Sequence, residues 1–278
     1  MPVQGEQSER LMAGGNDGGL IAKGLTAFLD RYPKLAYIHV PKCAGRSAVD
    51  SLYRAAYPAI LKPTRAYRRI NLRASRMAEQ ILDIDMMKGR EAVLINCLSD
   101  PLARFVAGHV HANPETVRSF PEWKFVTLLR EPRQRFLSHY IYNRFKNNDW
   151  TPLDDEFPHY VTTERARRSG CALACYFSGM SLSEIELDPA TAVGASLDNL
   201  GRFASVGFLD DLAGWADRVG ALIGSRPQFP HINKSPRPEG NEAVEREIGA
   251  SPELTLMVER LCATDRQIYR EALAQFSS

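Results

Sequence analysis

The segment Lys34-Leu-Ala-Tyr-Ile-His-Val-Pro-Lys-Cys-Ala-Gly-Arg-Ser47 limits the choice of fold more than any other part of the chain. Leu35 to Val40 is mostly apolar and β-favouring, which predicts a buried strand. Pro41 has no N–H to give to a ladder and ends it. Lys42 to Arg46 then makes a tight turn that contains Gly45. Ser47 opens a run, Ala48 to Ala56, that places Val49, Leu52 and Tyr53 on one face of a helix. Strand, compact turn and helix together aim backbone N–H groups and a helix N-terminus at an anion. A lysine in the turn and a hydroxyl at the helix start add a charge and a donor. Taken alone, the same spacing also suits a plain strand-to-helix connection with an exposed lysine.

A second stretch narrows the choice. Lys124-Phe-Val-Thr-Leu-Leu-Arg130 reads as another buried strand, with Arg130 at its end. It runs into Glu131-Pro-Arg-Gln-Arg-Phe-Leu-Ser-His-Tyr140, a helix start with Pro132 at the first position and Ser138 two turns in. Together the stretches resemble the sulfotransferases that use 3′-phosphoadenosine-5′-phosphosulfate (PAPS), in particular the carbohydrate branch that includes heparan sulfate 2-O-sulfotransferase. His39-Val-Pro-Lys-Cys-Ala-Gly-Arg-Ser47 is similar to that family's 5′-phosphosulfate loop, and Leu129-Arg-Glu-Pro-Arg-Gln-Arg-Phe-Leu-Ser-His-Tyr140 to its 3′-phosphate motif. The resemblance spans roughly residues 35 to 275 and is dense only at these sites. The family usually has threonine where this chain has Cys43 and Arg46, so some hydroxyl contacts to phosphate are lost.

The resemblance implies a P-loop-like sulfotransferase fold: α/β, with a mostly parallel central sheet flanked by helices. It implies phosphate contacts from Lys42, Cys43, Ala44, Gly45, Arg46 and Ser47, with the N–H groups of 44 to 47 forming the cradle. Arg130 and Ser138 would hold the 3′-phosphate of PAPS or of its product PAP. A late basic loop, Pro230 to Arg237, adds Lys234 and Ser235 as phosphate contacts. Gly108-His109-Val110 resembles the segment that carries the catalytic base, and the resemblance implies a carbohydrate hydroxyl as acceptor, with a small molecule or a peptide tyrosine left open.

The remaining residues set bounds on this expectation. A chain of 278 residues with 44% apolar content can bury a sizeable core. Residues 1–19, polar and Gly-rich, read as a flexible tail, and 20–278 as a single domain. A net charge of +2 carries no nucleic-acid or membrane signature, so anion binding has to be local. Five cysteines without regular spacing argue for buried thiols and against a disulfide framework. Cys171 and Cys175 are spaced for one helix face. No run is apolar enough for a transmembrane helix, and Met1 to Gly19 lacks the apolar core of a secretory signal, which points to a cytoplasmic enzyme or to a chain from which a membrane anchor has been removed.

Along the chain, Leu20 to Arg31 reads as a short helix. Ala59 to Arg76 holds Lys62, Arg65, Arg68, Arg69, Arg73 and Arg76, a solvated basic helix face or a patch for an acidic acceptor. Met77 to Met87 looks helical, and Glu91 to Leu98, with Ala-Val-Leu-Ile, reads as a buried strand. Phe105 to Ala107 ends a strand, leaving His109 at the C-terminal edge where ligands gather in open α/β sheets. His111 shares its side if the segment is extended. Pro189 to Leu200 reads as a helix capped by Asp188, Phe203 to Phe208 as a strand, Asp210 to Ile223 as a helix, and Ser251 caps one long final helix to Phe276.

Sulfuryl transfer needs in-line positioning and relief of charge on the leaving oxygen. Lys42 is placed for the second task, and the His109 imidazole for taking the acceptor's proton. No metal is required. Two rivals stand beside this scheme. A P-loop kinase would need glycine, four residues, then Gly-Lys-Ser/Thr, whereas here the lysine precedes Gly45. A non-catalytic polyanion-binding module would use the basic run instead.

Overall fold

The computed structural model describes residues 20–146, 153–229 and 241–277. Five strands pair in parallel: β1 (Leu35–Ile38), β2 (Tyr67–Arg69), β3 (Phe105–Gly108), β4 (Lys124–Leu129) and β5 (Ser205–Phe208). Their order is β2-β3-β1-β4-β5, so β1 lies at the centre. Parallel strands need long crossovers, and helices supply them. α1 (Leu20–Leu29) precedes the sheet, and the crossovers include α2 (Gly45–Ala56), α3 (Leu72–Leu82), α4 (Met86–Ser99), α5 (Pro114–Ser119) and α6 (Pro132–Phe145).

Both faces of the sheet are buried, and the strand period of two divides them. Leu35, Tyr37, Phe105, Ala107, Val126 and Leu128 face α2 and the helix Leu212–Ile223, meeting Val49, Leu52, Tyr53 and Trp215. Ala36, Ile38, Val106, Phe125 and Leu129 face the other way, onto Leu94, Cys97 and Leu98 of α4 and onto the helices Ala172–Phe177, Pro189–Leu200 and Ala263–Phe276. Leu52 is wholly buried, and a leucine so placed contributes about 1.5–3 kcal/mol.

After β1 the chain steps to β2 and β3 on one side, then crosses to β4 and β5 on the other. The C-terminal ends of β1, β3 and β4 therefore border the point where the winding reverses, the usual place for a crevice in such a sheet.

Three expectations are corrected. Glu91 to Leu98 is not a strand but part of helix α4. Asp85 caps that helix by accepting from the N–H groups of Met87 and Lys88 at 2.8 and 3.2 Å. Arg90, Leu94, Cys97 and Leu98 form one buried face while Ile95 is 43% exposed, a helical rather than alternating pattern. Second, Ala59 to Arg76 is no helix face. It is a 3-10 turn (Ala59–Leu61), a loop, edge strand β2, and the start of α3 under an Asn71 cap. Lys62 pairs with Asp50 and Arg65 with Asp100, so the run forms no continuous cationic stripe. Third, Ser251 caps a shorter helix, Pro252–Leu261, and the chain breaks at Cys262 before Ala263–Phe276. Cys171 lies at the junction of Glu164–Gly170 and Ala172–Phe177, and its carbonyl accepts the Cys175 N–H at 2.9 Å, so the two stand one helical turn apart. All five thiols are buried, as expected. Among the described residues, no helix is long and apolar enough to cross a membrane.

Candidate functional site

The turn after β1 is built on two left-handed residues. Lys42 has φ 69° and Ala44 φ 56°. A side-chain-bearing residue held there costs on the order of 1–3 kcal/mol, and such strain is kept where it shapes a site. The alternation curls the chain so that successive N–H groups face one concavity. Helix α2 begins at Gly45, two residues earlier than the Ser47 start read from the sequence, and Ala44 at its N-cap offers no side-chain oxygen. The N–H groups of the first turn therefore carry no side-chain cap.

Two packing choices hold the turn down. Cys43 is wholly buried, its N–H donates to the Val40 carbonyl at 3.3 Å, and burial pushes its thiol up to about 12. Neither its side chain nor its N–H faces a ligand, so the phosphate contact expected of Cys43 is not available. Gly45 lies beneath the His39 ring. A Cβ there would sit 1.6 Å from His39 Nε2, so only glycine fits.

Lys42 extends over α6, with Nζ 4.0 Å from the centre of the Tyr142 ring. Burial, reinforced by the Arg130 charge, lowers its pKa to about 8. Arg130 leaves the end of β4 and donates through Nη1 to the Lys42 carbonyl at 3.4 Å. Its Nε is buried and has no partner among the described residues. Glu131 caps α6 by accepting from the N–H groups of Arg133 and Gln134, with Pro132 in the first turn. Ser138 is half-buried and lies one turn before Tyr142 on the same face. His139, its neighbour, accepts at Nε2 from the Asn143 amide (3.1 Å) and so donates from Nδ1 to Ser169 Oγ (3.2 Å). Burial holds its pKa down at about 3.

His109 leaves β3 at Gly108, where a Cβ would fall 2.5 Å from Ile70. Its Nδ1 lies 2.9 Å from the His39 carbonyl. A carbonyl only accepts, so Nδ1 carries the proton and Nε2 of the neutral ring holds the lone pair. Burial lowers the pKa to about 4, and the Arg90 and Arg69 charges act in the same direction against the His39 hydrogen bond. Arg90 also donates to the His109 carbonyl at 3.2 Å, which fixes the segment. His111 has other neighbours: Nδ1 is 3.4 Å from Glu91 Oε1, and the ring stands edge-on to Tyr176.

The fold thus brings Lys42, Ala44, Gly45 and Ser47 to one sheet edge with Arg130, Ser138 and His109. Arg46 joins through its backbone in the first turn of α2. Lys234 and Ser235 lie outside the described residues. Three contributors escaped sequence reasoning: His39, Tyr142 and His139. For His39 a signal was present, since a residue two after Tyr37 in a strand shares its face. A scan against models of known protein families finds no match for this chain, and a search of curated proteins finds none either.

Proposed function

We propose that this protein is a PAPS-dependent sulfotransferase that moves a sulfuryl group to an acceptor hydroxyl on a carbohydrate or another small molecule, on a P-loop-like sulfotransferase fold. One observation carries the reading: the left-handed pair Lys42 and Ala44 presents an uncapped helix start directly beside Arg130 from the adjacent strand. The unpartnered Arg130 Nε and the uncapped N–H groups are donors in want of an anion, so the residues present fit a phosphate-bearing donor.

In this scheme the N–H groups of residues 44–47 and the Ser47 hydroxyl hold the 5′-phosphate. Arg130 and Ser138 hold the 3′-phosphate. PAPS, when bound, supplies a sulfuryl group activated by attachment to a phosphate oxygen. Lys42, released from the Tyr142 ring, meets the charge that grows on the leaving oxygen. His109 Nε2 takes the acceptor's proton. The buried, unpaired thiols favour a reducing compartment, in keeping with a cytoplasmic enzyme.

The test uses melting temperature and transfer together. PAP should stabilise the protein and adenosine 5′-phosphosulfate should do so much less. Radiolabelled sulfate should pass from PAPS to a member of a hydroxyl-acceptor panel. Equal stabilisation by both nucleotides removes the role given to Arg130 and Ser138. Absence of transfer across glycans, phenols and alcohols, with PAP bound, overturns the enzyme.

A further inference from the structure

Between the turn and His109 stands a second imidazole to which the chemistry above gives no task. The His39 ring lies 4.0 Å, centroid to centroid, from the His109 ring and stacks at 5.8 Å on Tyr37. Its Nε2 is buried without a partner among the described residues. A buried polar atom left unpaired is unfavourable, and it persists where the group's shape is needed. The ring edge fills the space over Gly45 that any Cβ would claim. The same residue's carbonyl accepts the Nδ1 proton of His109 at 2.9 Å.

On the reading of His109 as the base, we infer that His39 is a positioning residue: its ring is a spacer between Gly45 and the His109 imidazole, and its carbonyl fixes the His109 tautomer. Anything that shifts the first turn of α2, including an anion bound there, then shifts the His109 ring. The nitrogens of His39 are dispensable in this role, and its planar outline is not. Burial, with His109 and then Arg69 and Lys42 adding to it, keeps the ring neutral, as a spacer against a second imidazole has to be.

The coupling is read without any turnover. Gly45→Ala should lower the melting temperature by roughly 2–10 °C, the overpacking penalty in a chain of this size. In a His39→Ala background, where the ring is gone, the same change should lower it by much less. Additive losses would overturn the spacer. Long-range proton–nitrogen NMR supplies the second arm. The His109 ring should show a protonated Nδ1 and an unprotonated Nε2 in the wild type and in His39→Phe, and a tautomer mixture in His39→Ala, where the carbonyl remains but no ring holds the His109 imidazole against it. Retention of one tautomer in His39→Ala, or its loss in His39→Phe, would refute the assignment. In the third arm PAP is titrated into the wild type and His39→Ala. The His109 nitrogens should move in the wild type and stay still in the variant with PAP bound. Movement in both sinks the coupling. Failure of PAP to bind the wild type would count against the sulfotransferase, while the first two arms still decide the role of His39.

Discussion

The pH–rate profile should be a plateau set far from where ordinary side chains would put it. On the proposed scheme the acid limb would belong to His109, whose neutral form would act as the base. With a pKa of about 4, roughly 90% of the rings are neutral at pH 5, against about 3% for an ordinary histidine at 6.5. On the same scheme the alkaline limb would belong to Lys42, whose charge would meet the leaving oxygen. With a pKa of about 8, roughly 10% of the side chains remain charged at pH 9, against about 97% for an unperturbed lysine. We expect kcat/KM for PAPS, measured by sulfate transfer from pH 4.5 to 9.5, to be flat from about 5 to 7.5 and to fall about tenfold per unit beyond 8. Lys42→Met should lower the plateau and abolish the alkaline limb. A histidine limb near 6.5 would refute the burial argument for His109. An alkaline limb that survives in Lys42→Met would assign it to another group.

Arg130→Ala should weaken PAP binding by about 1.5–3 kcal/mol, roughly 10- to 150-fold by calorimetry, and unchanged affinity would remove its 3′-phosphate role. Stability should fall as pH drops from 6.5 toward 3, because the unfolded chain takes up protons that buried His109 and His139 refuse. His139→Gln should make the acid side of the melting curve shallower, and parallel curves would exclude that contribution. Asn199 donates from one amide to the buried Ala112 and Phe177 carbonyls at 2.7 and 2.8 Å. Asn199→Leu should cost about 1–3 kcal/mol for each orphaned carbonyl, and a urea midpoint shift of less than half that would show that the loop relaxes around the loss.

What the sequence disclosed follows how local the cause is. Pro41 stops β1 and Pro132 opens α6 through their own ring chemistry, so both transitions are legible in a few residues. His109 could be placed at a sheet edge because Phe105 to Ala107 announces its strand. Val93-Leu94-Ile95 misled because a short apolar run suits either element. Only the Asp85 cap and the one-sided burial of Arg90, Leu94, Cys97 and Leu98 decide for the helix. β2 has no apolar run to signal it, since Arg68 and Arg69 join the sheet by pairing with Val106 and Ala107. The role of His39 depends on a glycine from the next helix and a ring from the next strand, contacts no local pattern encodes.

The central position of β1 also governs when the site can exist. Its two neighbours arrive late: the His109–His39 contact spans 70 residues and the Arg130–Lys42 contact 88. Closing loops of that length precedes any reward from the pairing, which slows folding. A chain emerging from the ribosome can form the turn and α2 early, yet it has no second strand to set Arg130 against them until residue 130 is free. Fragments that stop short of β4 should therefore expose the uncapped helix start without gaining nucleotide affinity. If PAP binds as proposed, its binding would report completed sheet assembly, and a titration made during refolding should follow the slowest phase rather than the first.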